Sequence, residues 1–316
     1  MMRGRDRRPA VDAVIAPQHG VSRDGQPLSY NRAPAPDIAP WIARLYVTKV
    51  DIPAGHTLDC GLFNDTAFVR VQLDGSWTAQ TSHGQLAHSR AALFFGPQSR
   101  RMPVTVTGSF VSLGISLRPG ACTALKGVRV ADYVDRIVPL TEVIPGAEAL
   151  LDQLPMDGEV EDWLKPFEEG MRGRARETGW SPPDPVTVAF ETIAFTDPNA
   201  SVAEFAQHHG IDKRTLERIV RRDFGLTPKQ ILRRSRALDM ASHLRGVADQ
   251  AEADELALRY YDQSHLIREF TEFFGMSPRQ FAATPQPILT LALESRQARR
   301  LELLDRLAPG AVRPWQ

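Results

Sequence analysis

Residues 212–228 read DKRTLERIVRRDFGLTP and residues 262–278 read DQSHLIREFTEFFGMSP. Asp212, Leu216, Arg218, Val220, Phe224, Gly225, Thr227 and Pro228 recur as Asp262, Leu266, Arg268, Phe270, Phe274, Gly275, Ser277 and Pro278, each fifty positions later. A repeat in fixed register means two similar structural units in one chain. In the first copy Ser201 is placed to cap a helix carrying Val202, Phe205 and Ala206, with Glu204 where a capping box wants it. Gly210 stops that helix in a left-handed turn. Asp212 caps a second helix, predicted over 213–224, on which Leu216, Ile219 and Val220 recur at helical spacing and face inward. Gly225 ends it, and Thr227 with Pro228 opens the next.

Two short helices across a tight turn, the second basic, make a helix-turn-helix. Such a unit lays its second helix in the major groove, where each base pair shows a distinct donor and acceptor pattern. Arg214 is the predicted base reader, because a guanidinium fork matches the two acceptors of guanine. Lys213, Arg218, Arg221 and Arg222 are predicted on phosphates, which fix register without reading sequence. Basic residues continue through Lys229, Arg233, Arg234 and Arg236, opposed up to there only by Asp212, Glu217 and Asp223. That run favours DNA over a merely solvated helix face.

The two units and the helix between them resemble the DNA-binding domain of the AraC/XylS family of bacterial transcription regulators. The resemblance is carried by Ala206-x-x-x-Gly210, by 214–218 (RTLER), by 224–228 (FGLTP), by Arg236, by 262–270 (DQSHLIREF) and by 274–278 (FGMSP). It implies two recognition helices in successive major grooves, joined by a rigid helix. By position it puts Lys213, Arg214 and Arg218 on the first recognition helix, and Gln263, Ser264, His265 and Arg268 on the second. There are departures. Glu255 and Arg259 stand where the family's second unit usually has a small residue and a glycine before the aromatic of its turn, with Tyr260 and Tyr261 next. Ile231 replaces a usual tyrosine, and Glu269 and Glu272 add negative charge to the second recognition helix. These acids predict weaker groove insertion by the second unit.

A length of 316 residues allows two or three domains. Lys plus Arg and Asp plus Glu balance at 38 each, which argues against a general polyanion coat and leaves room for a local basic stripe. Cys60 and Cys122 sit in no disulfide, metal or redox pattern. No apolar run is long enough to span a membrane, and no signal core follows the N-terminal arginines, so a cytoplasmic protein is expected.

Residues 1–40, rich in Pro, Arg, Asp and Gly, are expected to be a flexible leader. From 41 to 180 the chain reads as a β-rich sensing or dimerising domain with trailing helices. Strands are predicted at 43–50, 67–73, 91–95, 104–106 and 110–117, with Asp74-Gly75 as a turn before Trp77. Residues 143–154 and 160–171 have helical spacing. Ser181-Pro182-Pro183-Asp184-Pro185 marks the boundary of the DNA-binding domain, 181–284, whose first helix is predicted over 186–195. Residues 285–316 form a helical extension that packs back on the domain. AraC-type proteins often carry a cupin-like barrel at the N-terminal position, and 95–98 (FGPQ) and 116–121 (SLRPGA) look like a subgroup of it.

The expected fold class is therefore α+β: an N-terminal β-rich, cupin-like domain with helices, then an all-α double helix-turn-helix domain. The expected function is sequence-specific transcription regulation with double-stranded DNA as partner. A small-molecule effector and a homodimer remain open, and no cofactor, metal or catalytic residue is assigned. A cupin-like enzyme is the first rival, but His56, His83 and His88 are scattered rather than clustered. A methyl-accepting repair protein would need a cysteine in a supporting motif. A protein-binding module whose arginines meet an acidic partner is the last rival. Phe63, Phe68, Trp77 and Phe95 are pocket candidates that plain core also explains, and Arg100-Arg101 is expected to face water.

Overall fold

The computed structural model describes residues 8–249 and 263–316. Among the described residues there are nine strands, the last of them after the first short helix: β1 (Ala16–Pro17), β2 (Tyr30–Arg32), β3 (Ile42–Asp51), β4 (Thr57–Leu62), β5 (Phe68–Thr81), β6 (Gly84–His88), β7 (Ala91–Phe95), β8 (Met102–Leu117) and β9 (Ile137–Pro139). They form one antiparallel sheet in the order β1-β3-β8-β5-β7-β9, with β2 on β3, β4 on β8 and β6 on β5. β8 is the spine. Its second half pairs with β3, Phe110 opposite Val50, its first half with β4, Thr107 opposite Thr57, and its other edge with β5, Val106 opposite Trp77.

The Asp74-Gly75 turn is corrected by this pairing. β5 runs straight through it as one strand of 14 residues, with a break in register against β8 between Gln72 and Ser76. An extra residue in one strand bends it without ending it. Gly75 holds φ at +96°, and a Cβ there would lie 2.7 Å from the Phe110 side chain. Long-range pairing thus overrides a local turn signal.

Both faces of the sheet are buried. One face gathers Leu45, Val47, Val69, Val71, Leu113 and Ile115 against Trp163, Leu164, Phe167 and Met171. Those four lie on α3 (Val160–Glu177), which follows α1 (Ala121–Ala124) and α2 (Ala149–Asp152). The helix expected over 143–154 is reduced to a 3-10 turn, Leu140–Glu142, and the short α2. Pro145 has no amide to donate and Gly146 sits at φ +83°, so the pattern is broken between them. The other face gathers Leu58, Leu62, Phe68, Trp77, Phe95, Val104 and Phe110, and it is closed by Ile288.

The C-terminal half is helical: α4 (Pro185–Thr196), α5 (Val202–His208), α6 (Lys213–Phe224), α7 (Pro228–Leu244), α8 (Gln263–Phe274), α9 (Pro278–Ala283) and α10 (Pro287–Leu303). The fold is α+β, as the sequence predicts. Its helices pack in two clusters, one around Phe190, Leu216, Val220 and Phe224, the other around Leu238, Phe270, Phe274, Phe281 and Leu293.

Residues 8–40 are not a loose leader. Tyr30, Asn31 and Arg32 pair with Val47, Tyr46 and Leu45, and Leu28 joins the second helical cluster. The Ala10 amide donates to Ala282 and the Arg23 amide to Trp315. The partners lie at the far end of the chain, so composition gave no sign of them. At that junction the buried Glu294 accepts from Asn31 Nδ2 at 2.9 Å, from Arg313 and from Trp315 Nε1. Burial pushes its carboxyl above the ordinary range.

Candidate DNA interface and the arginine network behind it

Each helix of the first unit starts on a side chain that accepts a backbone hydrogen bond. Ser201 Oγ accepts from Glu204 N, Asp212 Oδ1 from Thr215 N at 2.8 Å, and Thr227 Oγ1 from Gln230 N. Gln230 Oε1 reaches back to Thr227 N, closing a capping box that Ser277 and Gln280 repeat fifty residues later. Gly225 ends α6 at φ +77°. Its absent Cβ would stand 2.7 Å from Val134 of the N-terminal half, so glycine is required there twice over.

The repeat extends to burial. Residues 217 and 218 are exposed and 219 and 220 buried; residues 267 and 268 are exposed and 269 and 270 buried. Lys213, Arg214, Arg218 and Arg221 lie on the exposed side of α6, and Arg268 and Ile267 on that of α8. Arg221 meets Glu217 at 3.0 Å along the same surface. Gln263, Ser264 and His265 open α8; their side chains, like Asp262 and the turn at 255–261, lie outside the described residues.

Arg222 is corrected. Its guanidinium pairs with Asp223 at 2.7 Å and Asp184 at 3.1 Å, and those carboxylates hold its pKa above the ordinary range. Asp223 also accepts from Thr123 of α1 at 2.7 Å and Thr187 of α4 at 2.5 Å. Arg222 therefore serves the joint between the two halves. The basic run beyond Pro228 is corrected as well. Arg234 is buried on the carbonyls of Gln98 and Asp65, while Arg233 and Arg236 bind Glu269 at 3.0 Å each. Glu269 and Glu272 thereby neutralise arginines of α7: Arg233 reaches both. The buried Glu269 tethers α8 to α7, so its charge is spent inside the domain.

Residues 205–284 match the model of a helix-turn-helix domain family, HTH_18. Residues 30–139 match a domain of unknown function, DUF6597. Residues 205–284 thus form a helix-turn-helix domain of the AraC type. No curated protein matches the chain. Among solved structures, ToxT from Vibrio cholerae has a TM-score of 0.45 at 9% identity, over 75% of this chain and 97% of that one. ToxT bound to an unsaturated fatty acid, from strain SCE256, has 0.42 at 12% identity, over 75% and 94%. The AraC-like transcriptional activator CuxR has 0.27 at 13%, over 61% and 76%.

Behind the helix-turn-helix domain the chain carries buried arginines that join its halves. Arg296 of α10 pairs with Asp65 at 3.0 Å and with Asp239 of α7 at 2.5 Å. Arg118, after β8, and Arg299 of α10 converge on Glu191 of α4. Arg101, expected in water, donates its amide to Phe273 O at 2.7 Å and its side chain to Gln286. Phe63, a pocket candidate, instead stacks on Phe273 at 5.8 Å and meets Phe274 edge-on. Sequence pattern gave no signal for these contacts, because each partner is remote along the chain.

One arginine differs. A cavity of about 60 Å³ lies between the sheet and α10, lined among others by Tyr46, Thr48, Arg70, Ser112, Leu291 and Ser295. Arg70 is 7% exposed, and among the described residues no carboxylate pairs with it. Its Nε donates to Tyr46 Oη at 2.9 Å, and its guanidinium carbon lies 4.8 Å from the Phe68 ring and 5.1 Å from Phe95. Such ring contacts return about 2 kcal/mol when desolvated. Taking the ion out of water costs several kcal/mol. The balance leaves Arg70 under-satisfied.

His88, on β6, has no hydrogen-bond partner at either ring nitrogen among the described residues. Burial first, then Arg70, hold its pKa down to about 4 from 6.5. A depressed base contributes stability that is whole above pH 6.5 and lost as the pH falls towards 4. Acidification from pH 7 to 4.5 is expected to lower the thermal midpoint of the wild type more than that of His88→Gln. Parallel pH profiles for the two proteins would contradict this assignment.

Proposed function

We propose that the regulator binds specific duplex sites by placing α6 and α8 in successive major grooves, and that its N-terminal half controls this binding. The burial register repeated at fifty residues carries the reading, since it offers two equivalent solvent-facing helix surfaces. Lys213, Arg214, Arg218 and Arg221 are the contacts assigned to the first helix. Gln263, Ser264, His265 and Arg268 are assigned to the second. Arg214 reads a base edge, and Lys213, Arg218, Arg221 and Arg268 hold phosphates. Arg222 is withdrawn from the set because its charge is used at the joint.

On this reading, 41–180 is the sensing part, 181–284 the DNA-binding part, and 285–316 a strap across both. An effector that favours one arrangement of the halves shifts DNA affinity through that strap. Pairing of two copies through the N-terminal half would align two half-sites. The working place of such a protein is the cytoplasm, where the chromosome is.

Arg214→Ala is expected to cost about 1–3 kcal/mol of specific binding and to relax preference at one base position. Lys213→Ala should weaken all duplexes alike and reduce the slope of log affinity against log salt by about 0.9. Fluorescence anisotropy over a salt series measures both. Unchanged sequence preference in Arg214→Ala would remove it as a base reader.

A further inference from the structure

We infer that the cavity between the sheet and α10 is a binding site for a small monoanionic carboxylate, received by Arg70 with help from Ser112. The inference rests on the reading that the N-terminal half senses an effector, and it supplies the chemical class.

Four arginines line this space: Arg44, Arg70, Arg296 and Arg299. Three have carboxylates of their own, namely Glu302 for Arg44, Asp65 and Asp239 for Arg296, and Glu191 for Arg299. Arg70 has none in contact among the described residues, so its guanidinium is the unpaired one of the four. Its Nε is taken by Tyr46 Oη, while its two terminal nitrogens make no hydrogen bond among the described residues. Two parallel N–H groups of a guanidinium match a carboxylate in a bidentate pair. A second polar atom awaits a partner, because Ser112 Oγ is buried without one. Serine can donate to the same anion.

Size narrows the class. About 60 Å³ is several times the ~10–15 Å³ that one water needs, and well under the ~150 Å³ that holds benzene. An acid of acetate or propionate size fits whole. The wall is mixed, and its apolar part, which includes Phe68, Phe110 and Leu291, suits a short hydrocarbon tail. One unpaired guanidinium fork matches a monoanion better than a phosphate dianion. Because α10 forms part of the wall and also carries Arg296 and Arg299, an occupant touches the helix that joins the halves.

The test is thermal unfolding of the full-length protein in about 20 mM sodium acetate or propionate, against acetamide or propionamide in sodium chloride of equal ionic strength. The acids are expected to raise the midpoint by about 2–4 °C and the amides to leave it unchanged. Arg70→Met should lose the rise. Ser112→Ala, which keeps the arginine, should lose about half of it and serves as the second arm if Arg70→Met does not fold. Equal shifts for acid and amide, or a rise that survives in Arg70→Met, would overturn the site. The readout contains no DNA. Failure here with intact sequence-specific DNA binding removes only the site, whereas the reverse result removes only the regulator mechanism.

Discussion

Arg296→Ala is expected to lose on the order of 3–5 kcal/mol of folding free energy, the cost of breaking a buried ion pair from one side. Arg296 is 8% exposed and Asp239 only 2%. The arginine binds Asp239 on α7 and Asp65 between β4 and β5, so one side chain ties the helical half to the sheet. Truncation leaves the Asp239 carboxylate in a low-dielectric site with its arginine gone. The double variant Arg296→Met, Asp239→Leu should recover most of the loss, because it removes both charges and keeps the volume. Denaturant titration of the three proteins decides. A loss below about 1 kcal/mol for Arg296→Ala would mean that the site behaves like a solvated surface pair.

Phe270→Ala is expected to cost about 3–5 kcal/mol, the range for emptying a packed aromatic site. Phe270 is fully buried, stacked on Phe274 at 4.2 Å and edge-on to Phe281 at 5.3 Å. Its counterpart Val220 lies in the other helical cluster, with Leu216 and Phe224. The damage should therefore be local. Hydrogen exchange is expected to quicken over 263–283 while α5 and α6 stay protected, and the DNA footprint should shrink to the half covered by α6. Uniform loss of protection across both units would show that they unfold as one.

These two sites illustrate what sequence can and cannot show. The caps of α5, α6 and α7 were legible because Ser201, Asp212 and Thr227 act on amides three residues away. So was the apolar stripe of α6, since helical spacing is local. The roles of Arg222, Arg234 and Arg236 were not. Their charges read as a basic surface, but Asp184, Asp65 and Glu269 consume them, and nothing in the spacing announces those partners. Glu269 was misread for the same reason: it looked like a repulsive charge towards DNA and is a buried tether to α7. In the sheet, Asp74-Gly75 has turn chemistry, yet pairing of β5 with β8 holds it in a strand. Arg70 sits in an alternating strand like any outward residue. Only the fold shows that both faces are covered, and that among the described residues this arginine has no counter-charge in contact.

The most direct measurement of the central claim is selection of duplexes from a random pool by the purified protein, followed by affinities for selected and scrambled duplexes at about 150 mM salt. Two repeated units reading base edges predict that selected sequences bind about 10³-fold or more tightly than scrambled ones. Equal affinity for the two, or no binding to either, would contradict the account.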